Sequence, residues 1–545
     1  MNKAKLKQYL KDYGFHQAAT AAADKVFRRQ QEEVPYRRWL ERTSLSSRQY
    51  ARMGKETLPW NVQFAVQSHS EGIDRASFVQ SLNLQIYRSF RAWKDCPDAD
   101  YILFAGSGCT LAPDLLYQCA LYLSQHRSEE IDLIYFDSDR IGKDGRKCDP
   151  SFRPEYDPDL LRKFNYIGNV FLVKREAAQS AGIPVWDGRP ADEYHEFLKR
   201  IAAAMQVKPG EESSGPVRHI AKVLYHEIRV QADDVSEEEH VPTKKEDMEL
   251  ISVLIPNCDH LNDLERCIDS LRNVNAYGNL EILIIENNSR DPETFAGYDR
   301  ICAGDPRVRV VRYESQEPGF NFSAICNFGA VQAHGEYLLY LNNDTAVLKP
   351  SALWYMTRLA RREDVGAVGA LLMYPDHTVQ HAGVILGWGG IAGHAFQKES
   401  LDNNLGTYPN LIFRHTRNVC AVTAACMMLR RAEFEKLGGF DEKLEVTFND
   451  IDLCLRLREN GLRVLMCPDA ELIHYESASR GAEDSEEKVK RFHSEIRHFA
   501  DRWEGALEKG DPFYNPNLTL TGRSWTCKDL LREVRRPYLK YLHLD

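Results

Sequence analysis

From residue 250 onward the chain alternates between two hydrophobic periods. Leu250-Ile251-Ser252-Val253-Leu254-Ile255-Pro256 is an almost unbroken apolar run and reads as a buried strand stopped by proline. Residues 261–271 switch to helical spacing. Residues 280–285 read as a second strand that ends in Glu286-Asn287-Asn288-Ser289, and residues 308–311 as a third. Residues 322–333 predict a helix. The apolar run 337–341 then closes abruptly in Asn342-Asn343-Asp344 before Thr345-Ala346-Val347. Strands alternating with helices at this spacing predict βαβ units and a mostly parallel sheet. Polar residues follow three of the strands, at Asn257, at 286–289 and at 342–344. Convergence of such ends on one sheet edge is what a nucleotide pocket requires.

The first half carries an echo of the second. Tyr101-Ile102-Leu103-Phe104-Ala105-Gly106-Ser107-Gly108 aligns with Tyr337-Leu338-Leu339-Tyr340-Leu341-Asn342-Asn343-Asp344, so Gly108 stands opposite Asp344. Residues 171–175 echo 427–431, residues 192–200 lie opposite 449–457, and residues 222–226 loosely echo 471–474. No strand for a nucleotide pocket is visible before Trp93-Lys94-Asp95-Cys96-Pro97. Asp137-Ser138-Asp139 reads as a strand-end turn. The predicted organisation is a helical basic segment 1–59, a decayed α/β domain 60–235, a linker 236–249 that overlaps the acidic stretch 232–248, an intact α/β domain 250–482 and a helical tail 483–545. The fold class is α/β with two domains of one plan in tandem.

Composition narrows the function. A formal charge of −10 over 545 residues argues against a general nucleic-acid binder. The start, Met1-Asn2-Lys3-Ala4-Lys5, has no apolar core after it, and no run approaches the roughly 18–20 apolar residues of a membrane span. The thirteen cysteines form no C-x-x-C pair. They read as reduced, core-packing thiols in a cytoplasmic protein, without zinc. The first sixty residues are basic and helically spaced. Their faces either pack on the next domain or touch an anionic membrane surface.

Nine stretches in fixed order then resemble the family 2 glycosyltransferases of the GT-A fold, in their bacterial surface-polysaccharide form. They are ISVLIPN (251–257), IIENNSRD (284–291), FNFSAICNFGA (320–330), GEYLLYLNND (335–344), VGAVGALLMYPDHTVQHAG (365–383), AVTAACMMLRR (421–431), GGFDE (438–442), NDIDLCLRLRENG (449–461) and HYESASRG (474–481). Each is weak alone; the ordered set is specific. The resemblance implies a metal-dependent inverting transferase. It would move a sugar from a nucleotide-diphosphate donor to a hydroxyl of a saccharide acceptor, which can be lipid-linked, in O-antigen, capsule or exopolysaccharide assembly.

The resemblance also implies roles for single residues. Asp344 matches the aspartate that binds Mn²⁺ or Mg²⁺, with Asn342 and Asn343 where relatives carry acids, which implies weak metal affinity. His474 is either a further metal ligand or a hydrogen-bonded histidine ending a strand. Asn257, Glu286, Asn288 and Asn343 match the nucleotide-sugar pocket. Asp450 matches the base that deprotonates the acceptor, and Asp452 is expected to be a structural cap. Arg480 either reaches the diphosphate from a loop or is an ordinary surface arginine. Trp388, among glycines, is expected near the acceptor, where its face would stack on a sugar. Two rival functions stand beside this one: a transferase with two working sites, and a non-catalytic saccharide-binding protein.

Overall fold

The structure, a computed structural model, describes residues 35–68, 72–183, 192–205, 207–228, 248–314, 320–400, 408–476 and 486–530. The first sheet contains β1 (Phe64–Ser68), β2 (Phe90–Ala92), β3 (Tyr101–Ala105), β4 (Cys109–Leu111), β5 (Leu133–Ile141), β6 (Lys147–Ser151), β7 (Val170–Lys174) and β8 (Val217–Glu227). Its order is β2-β1-β3-β7-β5-β8-β4, with β6 on β5. The second sheet begins with β9 (Ile251–Asn257), β10 (Leu280–Glu286), β11 (Val308–Arg312), β12 (Tyr337–Leu341) and β13 (Thr345–Val347). It continues through β14 (Val365–Met373) and β15 (Val379–His381). A separate hairpin of β16 (Val384–Leu386) and β17 (Ala392–His394) follows, and β18 (Arg417–Asn418), β19 (Cys426–Arg430) and β20 (Arg463–His474) complete the sheet. Its order is β11-β10-β9-β12-β19-β14-β20-β13.

The first order matches the second from β10 to β13 strand for strand, and the registers match where the two can be compared. Tyr101 pairs with Lys174 across β3 and β7, as Tyr337 pairs with Arg430 across β12 and β19. Cys109 pairs with Glu227 across β4 and β8, as Thr345 pairs with His474 across β13 and β20. The fold is therefore α/β with one sheet plan used twice. The second sheet is parallel from β11 to β12 and again between β14 and β20, while β19 and β13 run antiparallel.

Burial explains the unbroken apolar runs. Val253 and Leu339 enter one core of the second sheet, and Leu254 and Tyr340 enter the core on its other face. A strand covered on both faces has no polar side to alternate with. Pro256 does not stop β9, which runs on to Asn257. Pairing with β12 ends at Leu254, so the proline sits where the strand is paired on one side only. All thirteen cysteines are free, and only Cys258 is exposed.

Two expectations for the first sheet need correction. The pocket strand is present, but as the three-residue β2, and no counterpart of β11 occurs among the described residues. Asp137-Ser138-Asp139 is no turn; all three residues lie buried inside β5. Their burial is possible because each acid is met by donors. Asp137 accepts from Arg153 N at 2.9 Å, His219 Nε2 at 2.9 Å and Asn515 Nδ2 at 2.9 Å. Asp139 is bonded to His226 and accepts from Tyr36 Oη at 2.6 Å.

These acids also join distant parts of the chain. Tyr36 belongs to the helix Tyr36–Thr43, whose Trp39 stacks edge-on against Phe152 at 5.1 Å, so this basic helix packs on the protein. Residues 1–34 of the predicted basic segment and most of the predicted linker lie outside the described residues. Asn515 belongs to the tail after the helix Glu486–Lys509. The tail touches both sheet units: Glu155 N donates to Pro512 O at 2.8 Å, and Leu386 N in β16 donates to Asp511 Oδ2 at 2.9 Å. Direct contacts add to this, with Asn418 donating to Asp157 Oδ1 at 2.6 Å and to Asp159 Oδ2 at 3.0 Å.

The buried ion pair has a pH signature. Burial alone would lower the His219 imidazole, but Asp137 and Glu155 outweigh it and raise the pKa from 6.5 to about 9. A raised histidine pKa contributes stability below the unfolded value near 6.5, and that contribution is lost as pH rises through about 9. Chemical denaturation between pH 6 and pH 10 should therefore show a decline that His219→Gln removes. Asp137→Ala should cost on the order of 3–5 kcal/mol at neutral pH, because it strands a buried cation and the Asn515 amide. An unchanged urea midpoint would contradict this account.

Candidate active site

The site is built on the ends of β9, β10, β12 and β20. Asn342 N donates to Ala425 O at 3.0 Å, which turns the chain at the end of β12. Pairing of β13 with β20 then sets Asp344 beside His474. Asp344 Oδ1 and His474 Nε2 are 3.1 Å apart, both residues are buried, and Asn342 Nδ2 lies 3.4 Å from the same nitrogen. One carboxylate and one imidazole in contact fit Mg²⁺ or Mn²⁺ that takes its other ligands from phosphate and water. No group of three or more His, Cys, Asp or Glu able to hold a metal occurs among the described residues. If His474 held a cation through Nε2, its ring proton would sit on Nδ1, which is buried without a hydrogen-bond partner among the described residues. That cost weakens the affinity.

The residues expected on the nucleotide side lie at the ends of β9, β10 and β12. Asn257 spends its amide inside the protein. It accepts from Asn343 Nδ2 at 2.6 Å, and it donates to Tyr298 Oη and Asp259 O, both at 2.8 Å. It therefore holds Asn343 in place beside Asp344. Glu286 accepts from Ser289 N at 2.7 Å through Oε1, while Oε2 is buried with no hydrogen-bond partner among the described residues. A buried acceptor without a donor is what a base or ribose hydroxyl would satisfy. Asn288 is exposed at the rim in the left-handed region, with φ 59°. Asp259 accepts from Arg290 N and Asp291 N, and these backbone bonds hold its carboxyl below the usual range. It pins the loop after β9 to the loop after β10.

Asp450 opens the helix Asn449–Glu459, which follows Phe448 in the left-handed region. Its Oδ1 accepts from Ile451 N at 2.9 Å and its Oδ2 from Ala424 N at 3.1 Å. Asp450 stays partly exposed. Asp452 is fully buried and bonded to Arg456 Nε at 2.8 Å and Trp503 Nε1 at 3.0 Å, which ties this helix to the C-terminal helix. The two aspartates are thus separated by environment: one is partly exposed and the other is locked in the core.

Residues 423–425 connect these parts. Thr423 N donates to His381 Nε2 at 3.4 Å, Ala424 N to Asp450, and Ala425 O accepts from Asn342 N. His381 also contacts His394. Trp388 is half-buried beside this hairpin, edge-on to Tyr514 of the tail at 6.2 Å. Arg480 lies outside the described residues. Asp259, Tyr298, His381 and His394 were not singled out by sequence. His381 lay inside a matched stretch, and Tyr298 carried no signal beyond helical spacing.

The first sheet shows the same corner without its chemistry. Ile228 N donates to Gly108 O as Tyr475 N donates to Asp344 O, which confirms the predicted pairing of Gly108 with Asp344. Glu227, one residue beyond the loose sequence echo, takes the register place of His474. Gly108 has φ 72°, so glycine there serves the backbone as well as lacking a carboxylate. A Cβ at Gly106, which matches Asn342, would meet Asn169 and the Tyr194 ring within 3.1–3.3 Å. Asn169 and Tyr194 leave little room for a side chain at that position.

Residues 249–493 match the family model described as Glycosyltransferase like family 2. The chain is 36% identical over 459 residues to the O-antigen biosynthesis protein RfbC of Myxococcus xanthus, covering 77% of this chain and 34% of that protein. It is 32% identical over 89 residues to an N-acetylglucosaminyl-diphospho-decaprenol L-rhamnosyltransferase of Mycobacterium tuberculosis, covering 16% of this chain and 29% of that protein. The chain thus spans about a third of each of these relatives. Among solved structures, it is similar to the mannosyltransferase PcManGT of Pyrobaculum calidifontis, in complex with GDP-Man and Mn²⁺. The TM-score is 0.34 and the identity 15%, over 51% of this chain and 71% of that one.

The Asp344–His474 corner generates a direct expectation. Asp344→Ala should abolish, and His474→Ala weaken by about tenfold or more, the Mn²⁺-dependent binding of nucleoside diphosphates measured by calorimetry. Asp452→Ala should instead lower the melting temperature. Binding that is equally strong in EDTA would remove the metal from this corner.

Proposed function

We propose, on the premise that residues 249–493 belong to glycosyltransferase-like family 2 with its GT-A type of α/β fold, that this chain is a metal-dependent inverting glycosyltransferase. The observation that carries the reading is the short backbone link between two functional corners. Asp450 is bonded to Ala424, and the next residue, Ala425, bonds Asn342 of the Asn342–Asp344 turn. A proton acceptor and a cation corner so joined suit a single displacement between them.

Asp450 takes the proton from the acceptor hydroxyl as it attacks the anomeric carbon, and its two backbone donors hold the carboxylate in place for that transfer. Attack from the side opposite the leaving diphosphate inverts that carbon. Asp344 and His474 would hold Mn²⁺ or Mg²⁺, which neutralises the departing diphosphate. Glu286 and Asn288 receive the base and ribose, and Asn257 acts through Asn343. Trp388 lines the acceptor side on the same hairpin as His394.

The similarity to an O-antigen biosynthesis protein supports a role in bacterial surface-polysaccharide assembly, with a saccharide acceptor. The short similarity to a rhamnosyltransferase named for a diphospho-decaprenol acceptor favours a lipid-linked one. No helix among the described residues is long and apolar enough to cross a membrane. The basic N-terminal residues supply the charge for a peripheral contact with the inner membrane face. In this reading residues 60–235 form a non-catalytic domain beside the catalytic domain 250–482, because Gly108 stands where Asp344 supplies charge.

Asp450→Asn keeps the shape but cannot accept the proton. It should lower transfer by about 10²- to 10⁴-fold while leaving donor affinity near wild type. Calorimetric titration of the full-length protein with its nucleotide sugar should give one site per chain. Two sites would make the first sheet unit a working transferase.

A further inference from the structure

His381 and His394 form a pair that the proposed chemistry does not use. His381 ends β15 and is wholly buried; His394 ends β17 and is partly exposed. Their Nδ1 atoms are 2.7 Å apart, so one ring donates and the other accepts. The direction is fixed from the far side. His381 Nε2 faces two backbone N–H groups, Gly383 at 3.3 Å and Thr423 at 3.4 Å. A nitrogen facing two donors carries no proton, so His381 in its neutral form carries its proton on Nδ1 and donates it to His394. His394 Nδ1 is then an acceptor, and the neutral ring must hold its proton on Nε2. Burial keeps both rings below their ordinary pKa, which is consistent with neutral histidines. No protein acceptor for His394 Nε2–H exists among the described residues.

The position of that N–H is constrained. His394 pairs with Val384, whose N–H donates to Ala421 O at 2.9 Å, two residues before Thr423. The charged and titratable groups acting on His394 are Asp450, His474 and Glu476. Thr423, which donates to His381, directly precedes Ala424, which donates to Asp450, and Ala425, which accepts from Asn342, so the histidine pair lies beside the space between the base and the cation corner. In a displacement between those two corners, that space holds the transferred sugar.

We propose that His394 is a positioning residue whose preset Nε2–H donates to a hydroxyl of the donor's sugar, with His381 holding its tautomer. The inference rests on the transferase reading. It makes His394 a discriminator among donor sugars, because a site that offers one fixed donor favours a sugar with an acceptor oxygen at that place.

Long-range ¹H–¹⁵N correlation spectra of the histidine-labelled full-length chain read the tautomers without substrate. The expected result is Nδ1–H for His381 and Nε2–H for His394; a His394 with its proton on Nδ1, or a cationic pair, overturns the proposal. Calorimetry with Mn²⁺ then compares UDP, GDP and dTDP with their common nucleotide sugars. His394→Leu should weaken the nucleotide sugar about 5- to 10-fold and leave the matching nucleoside diphosphate unchanged, and His394→Gln, which keeps an N–H, should recover most of the loss. Equal weakening of both ligands, or no weakening, sinks the sugar contact while the transferase reading stands. Failure of the wild type to bind any of these ligands sinks both.

Discussion

Three consecutive residues, 423–425, set the geometry on which the site depends. Their backbone groups meet His381, Asp450 and Asn342 in turn, just before β19 enters the sheet. β19 is itself clamped between β12 and β14, with Cys426 opposite Leu341 and Met427 opposite Gly369. The spacing of the three functional groups is therefore inherited from strand register, which cannot slip by one residue without turning core side chains outward. Backbone donors also suit this task because they do not change rotamer or charge. Asp450, the histidine pair and the turn before Asp344 are held by one stretch whose own position is fixed by two cores.

The first sheet unit enters through a different constraint, a buried charge. Asp137 is tolerable in β5 only because His219, Arg153 and Asn515 satisfy it, and Asn515 comes from the far end of the chain. The tail that delivers Asn515 also accepts from Leu386 in β16 and packs Tyr514 against Trp388. Further along, Trp525 stacks on Phe396 at 4.2 Å. The hairpin bearing His394 is thus braced by a tail that is itself anchored on the first sheet. A unit without a cation corner still has mechanical work in this arrangement.

Much of the second sheet was legible because doubly covered strands write themselves as apolar runs and end in polar triplets. The repeat was legible for the same reason, and its key pairing, Gly108 with Asp344, is reproduced by the strand register. β2 was missed because three residues with partly exposed side chains carry no hydrophobic period. Asp137-Ser138-Asp139 was read as a turn because local chemistry favours that reading; its donors are tens to hundreds of residues away. The histidine pair was hidden in the same way. His381 and His394 each sit in short strands among glycines, and only the fold shows that one nitrogen of His381 faces two backbone donors.

The comparison of the two corners separates what a fold needs from what a site needs. Between β4–β8 and β13–β20 every ladder pair is preserved, and the bond across the turn persists from Ile228 to Gly108 as from Tyr475 to Asp344. What differs is the side chains at and just beyond the end of the ladder: glycine for the carboxylate, Glu227 for the imidazole, and Tyr194 and Asn169 close to Gly106. Core burial stabilises the sheet whether or not its edge can hold a cation, so decay of the edge meets little resistance from the fold. Burying side chains at that edge gains packing where an open, charged corner gave none. Close packing of Tyr194 and Asn169 beside Gly106 is what an edge that need not stay open for a ligand allows.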